Sequence, residues 1–347
     1  MTSTKRWRRR DVLRLGGMTG LAGAAASVGL ARFSLAARAA TAPLKVNIVN
    51  TASNSTMALQ VLLQQQGFFD QVGLAPTTLN VADGSKLMGA LFSGSSDICM
   101  LSGFSQVFPA IARGGKMKIL AGAGLLLQDA IYSAKPDIHR VKDLEGRTVG
   151  TGSPGALLHQ FTVALLRKKG VDVSKVKFVN VGSSAAVFNA VVAGTVDAGP
   201  SLIDVYPEQK KFGVHSLIDG DLWKELPEYT YQASYAADRA IEGKREALVR
   251  TLAAYGKLYR FISGPNSRDA FMKARQTALK KSDPIAAEFE WDFAQKYHPY
   301  DTDLTLSEER INYMQKLNIE FGIQKEVLPF SEVADMSLAK DALKLMG

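Results

Sequence analysis

The chain carries a single cysteine, Cys99, in 347 residues. No disulfide can form within it, and the thiol, set in Ile98-Cys99-Met100-Leu101, reads as a small hydrophobe in a core strand. Histidine is scarce too. The four, at 139, 159, 215 and 298, have no metal-ligand spacing with one another or with Cys99. There is no Gly-x-Ser-x-Gly elbow and no Walker-type phosphate loop, so two common catalytic frameworks are missing. Long apolar runs are nearly absent. The one candidate, Leu15–Leu30, is rich in Gly and Ala and stops at Arg32, short of the roughly 20 strongly apolar residues of a membrane span.

Charge of one sign is also scarcer than the total suggests. The net charge is +9, but residues 1–39 hold eight Lys/Arg and one Asp, which is +7 and leaves about +2 for the rest. A body that close to neutral gives no reason to expect nucleic acid or an anionic membrane as partner. The basic residues serve as an address: Arg8-Arg9-Arg10-Asp11-Val12-Leu13-Arg14 has the form of a twin-arginine signal, and Ala37-Arg38-Ala39 ends residues 1–39 as a cleavage site. The mature chain is expected to be exported and soluble.

What is present is a repeat. Residues 90–98 and 190–198 share Ala-x-x-x-Gly-x-x-Asp followed by an apolar residue, one hundred positions apart. Each copy has the form of a helix end, a glycine cap and an Asp leading into a buried strand. Around them strand and helix signals alternate. Strands are expected at Lys45–Asn50, Thr77–Val81, Ile98–Leu101 and Lys118–Ala121. Helices are expected at Ser55–Gln66, 85–93 and 104–113. A second unit starts near Ile131, with strands Arg147–Gly150, Val176–Val181 and Val196–Ala198 and helices Leu157–Lys169 and Ala185–Ala193. Thr230–Ala236 alternates like a strand and is expected to return to the first unit. Beyond about 240 the periodicity is helical, over Arg245–Ile262, Arg268–Lys280, Pro284–Tyr297, Ser307–Phe321 and Ser331–Leu345. The alternation predicts an α/β protein with two lobes and a cleft between them, residues 40–130 plus 231–347 forming one lobe and 131–230 the other.

In order along the chain stand Gln66-Gly67-Phe68-Phe69, Gly73-Leu74, Gly84-Ser85, Ala90-Leu91, Gly94, Asp97, Asp143-Leu144-Glu145-Gly146-Arg147-Thr148-Val149-Gly150 and Gly194-Thr195-Val196-Asp197-Ala198. In this series the chain resembles the SsuA/THI5-like (NMT1-like) solute-binding proteins of ABC importers for sulfonates, taurine, nitrate and pyrimidine precursors. The resemblance covers about residues 45–240. It implies a type II periplasmic-binding-protein-like fold, each lobe a sheet flanked by helices, with a helical C-terminal segment. It also implies hinge closure on a small organic solute, a monomer in the periplasm, and an ABC permease with its ATPase as partners. Gly199-Pro200-Ser201-Leu202-Ile203-Asp204 stands where sulfonate-binding members usually have a Trp-containing turn, so the resemblance alone does not carry sulfonate specificity over to this chain. The family's iron-binding pyrimidine synthases use a cysteine-rich motif that one cysteine cannot supply. Neither a cofactor nor a metal is expected.

Four loops beyond strand ends are the candidate ligand contacts. The first holds Thr51, Ser53, Asn54 and Ser55; the second Ser102, Gly103 and Phe104, with Ser102 at a hydroxyl position that similar proteins use. Ser153, Gly155 and Ala156 stand in the third, and Ser201 with Asp204 in the fourth, where the acid either pairs with a ligand amine or caps a helix. Gly150-Thr151-Gly152-Ser153-Pro154-Gly155 matches the dinucleotide pattern, but Asn180-Val181-Gly182 offers no acid for a ribose. His159, near the third loop, reads as a helix-surface residue. None of the loops contains Lys or Arg. The ligand expected is therefore a small organic solute, sulfonate-, carboxylate- or pyrimidine-like, and no residue is assigned a catalytic role. A module feeding a membrane sensor and a periplasmic enzyme are the alternatives.

Overall fold

A computed structural model describes residues 42–347, so the signal segment expected at residues 1–39 lies outside the described residues. Ten strands form two five-stranded sheets. They are β1 (Leu44–Thr51), β2 (Leu74–Val81), β3 (Ile98–Ser102), β4 (Met117–Gly122), β5 (Asp129–Ser133), β6 (Thr148–Thr151), β7 (Lys177–Asn180), β8 (Ala198–Leu202), β9 (His215–Asp221) and β10 (Ala233–Ala237). The first sheet has the order β2-β1-β3-β10-β4 and the second β7-β6-β8-β5-β9. β1 runs parallel to β2 and β3, and β6 parallel to β7 and β8, so in each sheet three strand ends point the same way. β10 returns from the second sheet and inserts antiparallel between β3 and β4.

Helices cover the sheets. α1 (Asn54–Gln65) and α2 (Gly84–Ser93) follow β1 and β2, and α3 (Leu157–Lys168) and α4 (Ser184–Val192) follow β6 and β7. α1 buries Thr56, Ala58, Leu59, Leu62 and Leu63, the three- and four-residue spacing that turns one face inward. The C-terminal helices are α5 (Asp238–Ile262), α6 (Arg268–Leu279), α7 (Pro284–Tyr297), α8 (Glu308–Glu320) and α9 (Ser337–Met346). One apolar cluster runs through both lobes, joining Val49, Cys99 and Phe104 to Ile131, Val149 and Phe161.

The repeated motif does the same work twice. Gly94 and Gly194, at φ +86° and +70°, turn the chain at the ends of α2 and α4, in a region where an L side chain is strained. The Asp97 amide donates to the Asn47 carbonyl at 2.7 Å, and the Asn47 amide returns a bond to Asp97 Oδ2 at 2.8 Å. Asp197 and Thr148 make the same pair, at 2.8 and 2.8 Å. Each Asp thus clips the start of its own strand to the parallel neighbour.

Three expectations are corrected. Pro200-Ser201 is not loop but the middle of β8. Pro200 opposes Ile131 of β5, while the ladder to β6 is recorded only at Ala198, so the missing amide falls where no β6 partner remains. The helix expected over 104–113 begins at Val107, because Ser102–Gln106 turn toward the other lobe. Ser331–Leu345 is two helices, Phe330–Val333 and α9, separated where Ala334 bridges to Ile119. β9 had no sequence signal strong enough to name.

Candidate functional site

Four helix starts converge on one cavity of ≈ 60 Å³ between the lobes. Their N-cap residues, Ser53, Asp83, Ala156 and Ser183, all line it. The convergence follows from topology: β1, β2, β6 and β7 end on the cleft side, and each is followed by a helix whose unpaired first-turn amides face the same space. Three of the four starts have one amide taken by their own N-cap. Ser53 Oγ accepts from the Thr56 amide at 3.0 Å, Asp83 Oδ1 from Lys86 at 3.0 Å, and Ser183 Oγ from Ala186 at 3.4 Å. The start of α3 has Ala156 as its N-cap and receives no side-chain cap. None of its first-turn amides has a side-chain cap, and the positive end of the helix dipole stands behind them, beside the amides the other three caps leave free.

Hydroxyls supply most of the rest: Thr51, Ser53, Thr56, Ser102, Ser105, Ser153, Ser183 and Ser184 line the cavity, and no Lys or Arg does. Thr51 Oγ1 donates to Ser102 Oγ at 3.2 Å, fixing two of them at adjacent strand ends. Tyr231 and Gln232, just before β10, close the floor. The lobes approach closely here. A Cβ on Gly103 would come within 2.6 Å of Leu157 Cβ, so this crossing requires glycine. Ser105 Oγ donates across the gap to the Gly155 carbonyl at 3.0 Å, and Asn318 of α8 joins Gln160 (2.7 Å) to the Ser105 carbonyl (2.8 Å). These bonds hold the lobes together beside the cavity, which stays partly open to solvent.

Of the residues read from sequence, Thr51, Ser53, Ser102, Gly103, Ser153 and Ala156 line the cavity, and Ser55 lines a smaller void of ≈ 10 Å³ behind it. The other five do not reach the cavity. Phe104 is 1% exposed and packs edge-on against Phe108, so it is core. Gly155 makes the turn before α3, giving its carbonyl to Ser105 and its amide to His159 Nδ1. Ser201 is buried within β8, its hydroxyl on the Ser184 carbonyl. Asp204 is 4% exposed and paired with Arg275, and Asn54 donates to that same carboxylate. His159 is not on the open helix surface. It is half-buried edge-on against Phe178, and burial lowers its pKa, which favours the neutral ring that accepts from Gly155.

The sequence reading missed Asp83, Gly84, Ser105, Gln106, Ser183, Ser184, Tyr231 and Gln232. Asp83-Gly84-Ser85 and Ser183-Ser184 are ordinary helix starts, and a search of every strand-to-helix junction for cap residues would have found them. Nothing local marks Tyr231 and Gln232. Among the described residues no cluster of His, Cys, Asp and Glu is arranged to hold a metal ion, and no helix is long and apolar enough to cross a membrane.

This arrangement, two sheets with a cavity between them ringed by helix starts, defines a two-lobed binding-protein fold of the type II periplasmic class. The profile of the NMT1/THI5-like family matches residues 54–262, and the chain belongs to that family. YtlA of Bacillus subtilis (strain 168), classed provisionally as a binding protein, is 21% identical over 304 residues, covering 85% of this chain and 89% of YtlA. The alkanesulfonate-binding protein SsuA of Xanthomonas axonopodis pv. citri, solved bound to MOPS, superposes with a TM-score of 0.68. It is 17% identical, over 87% of this chain and 98% of SsuA. The desulfurization enzyme DSZB shares the fold at a TM-score of 0.59 and 15% identity, over 86% of this chain and 99% of that one.

Proposed function

We propose that the protein is the periplasmic solute-binding component of an ABC importer, exported by the twin-arginine route and acting as a monomer. Residues 40–130 plus 231–347 would form one lobe and 131–230 the other. Ligand contacts from both favour the closed form, which the permease and its ATPase then receive. The observation that carries this reading is the ring of four helix starts around one cavity between the lobes, with one start left uncapped. That geometry suits a small organic solute with a single carboxylate or sulfonate on the α3 amides, the hydroxyls of both lobes holding the rest. Asp83 on the wall, and the lack of any cation there, disfavour a multiply charged anion. YtlA and SsuA, both binding proteins by name, support the same role.

DSZB is the reason to weigh an enzyme on this fold. The cavity lining holds no Cys or His, and its one acid, Asp83, is engaged as the cap of α2. A thermal-shift screen against small sulfonates, carboxylates and pyrimidines tests both readings. At a hundred times its dissociation constant a true ligand adds about 2.7 kcal/mol, and the importer reading expects the compound back unchanged after incubation. Turnover of a stabilising compound would replace it with the enzyme reading.

A further inference from the structure

Beside the cavity lies a buried charged cluster that draws on both lobes. Arg275 of α6 is 1% exposed and meets three carboxylates. Its Nη2 lies 2.8 Å from Asp204 Oδ2, its Nε lies 3.0 Å from Asp283 Oδ2, and its Nη1 bonds Glu290 Oε2. Asp204 stands two residues beyond β8, in the second sheet's lobe. α6 packs along α1 in the first lobe. Asn54, at the first turn of α1, donates its Nδ2 to the same Asp204 oxygen at 3.0 Å. One carboxylate oxygen from one lobe is therefore shared by a guanidinium and an amide fastened to the other, next to Ser53 in the cavity wall.

We propose that Arg275 is a positioning residue for closure: through Asp204 and Asn54 it holds the second lobe against the ligand-facing turn of α1. The inference rests on the hinge-closing reading above. Water would have to reach Asp204 Oδ2 for the lobes to part at this edge, so each opening exchanges two charge-assisted bonds in a dry site for hydration. The bonds that Ser105, Gly155, Gln160 and Asn318 make between the lobes are neutral. The lobes thus share neutral bonds beside the cavity and a charged cluster next to the apolar packing of Phe289 and Phe293 of α7 on Tyr206 and Trp223, so Arg275 adds to a contact that α7 already makes. Asp204 acts on closure and not on ligand identity. Its loss should weaken every ligand by a similar factor, whereas loss of a wall hydroxyl should change their ranking.

The test needs no ligand, so it stands even if no compound in the screen binds. Ser95 and Thr195 are exposed, one on each lobe, and the native Cys99 is buried. Ser95→Cys with Thr195→Cys, spin-labelled, reports lobe separation by double electron–electron resonance. The ligand-free protein should show a short-distance population, and Asp204→Asn should reduce it about tenfold, the worth of one charged hydrogen bond. Asn54→Ala, which leaves the Arg275 pairs intact, should reduce it less and keeps the test alive if Asp204→Asn folds poorly. Melting temperature read alongside separates lost closure from general destabilisation. Distance distributions that stay the same in folded variants would overturn the proposal. So would a parent protein with no short-distance population at all.

Discussion

Asp97 and Asp197 make the same backbone clip in two lobes, yet their surroundings differ. Asp97's side chain is 8% exposed and has Lys244 at 2.8 Å, delivered by a non-helical kink in α5 at Lys244 itself. Asp197's side chain is 25% exposed, and its cation, Lys135, stands off at 3.9 Å. The same eight-residue pattern therefore has unequal weight. In the first lobe a C-terminal helix comes back to bury the clip; in the second it stays near solvent. The glycines diverge likewise. A Cβ on Gly94 would strike the Arg239 guanidinium at 1.9 Å, whereas Gly194 has nothing within 4 Å.

Breaking the clips one at a time should give the largest contrast. Asp97→Ala strands a buried amide and removes Lys244's partner, and should cost about 3 kcal/mol. Asp197→Ala should cost about 1 kcal/mol, and equal losses in urea denaturation would show that burial does not separate them. The glycines follow. Gly94→Ala should cost about 2 kcal/mol, strain at φ +86° plus displacement of Arg239 from the Leu91 carbonyl, against about 1 kcal/mol for Gly194→Ala, where strain acts alone.

A third test turns on Asp129 in β5 of the second lobe. Burial pushes its carboxyl up to about 7, Tyr231's hydroxyl pulling the other way and Asp204's charge adding to the rise. With a folded pKa above the unfolded one, the native state holds the extra proton between about pH 4 and 7. Stability from this group is full below that window and lost as pH rises through it. Asp129→Asn should then raise the melting temperature by about 4 °C at pH 8, by less at pH 5, and leave it nearly unchanged below pH 4. A rise at pH 5 alone would reverse the assignment. The smallest effect expected compares the two walls of the cavity. Ser102→Ala, which also frees Thr51, should weaken the best ligand about tenfold, and Ser153→Ala, held only by Asn180 at 3.4 Å, about threefold by calorimetry.

Much of the fold was legible because its signals are local. α7 occupies Pro284–Tyr297 as expected, with Pro284 in its first turn, and Ser307 caps α8 with its hydroxyl on the Arg310 amide. Six of the named loop residues line the cavity because strand ends and helix starts can be read from a few neighbouring residues. Asp204 could not be read that way. An acid beside a short apolar strand looks like a ligand contact or a cap, and only Arg275, seventy-one positions later, makes it an internal ion pair. Pro200 misled for a similar reason: a proline argues against a central strand unless the neighbouring ladder has already ended.

The sequence by itself determined the doubled α/β unit, the glycine and Asp of each repeat, and the polar character of the loops around the cleft. Each is a matter of residues within one helical turn or one strand, where backbone sterics and side-chain capping decide the outcome. Only the tertiary structure decided which hydroxyls share a wall, that α3 alone among the four converging helices lacks a side-chain cap, and that Asn54, Asp204 and Arg275 meet on one oxygen. Those depend on how two lobes and the C-terminal helices exclude water together, and burial of that kind joins residues whose distance along the chain carries no signal.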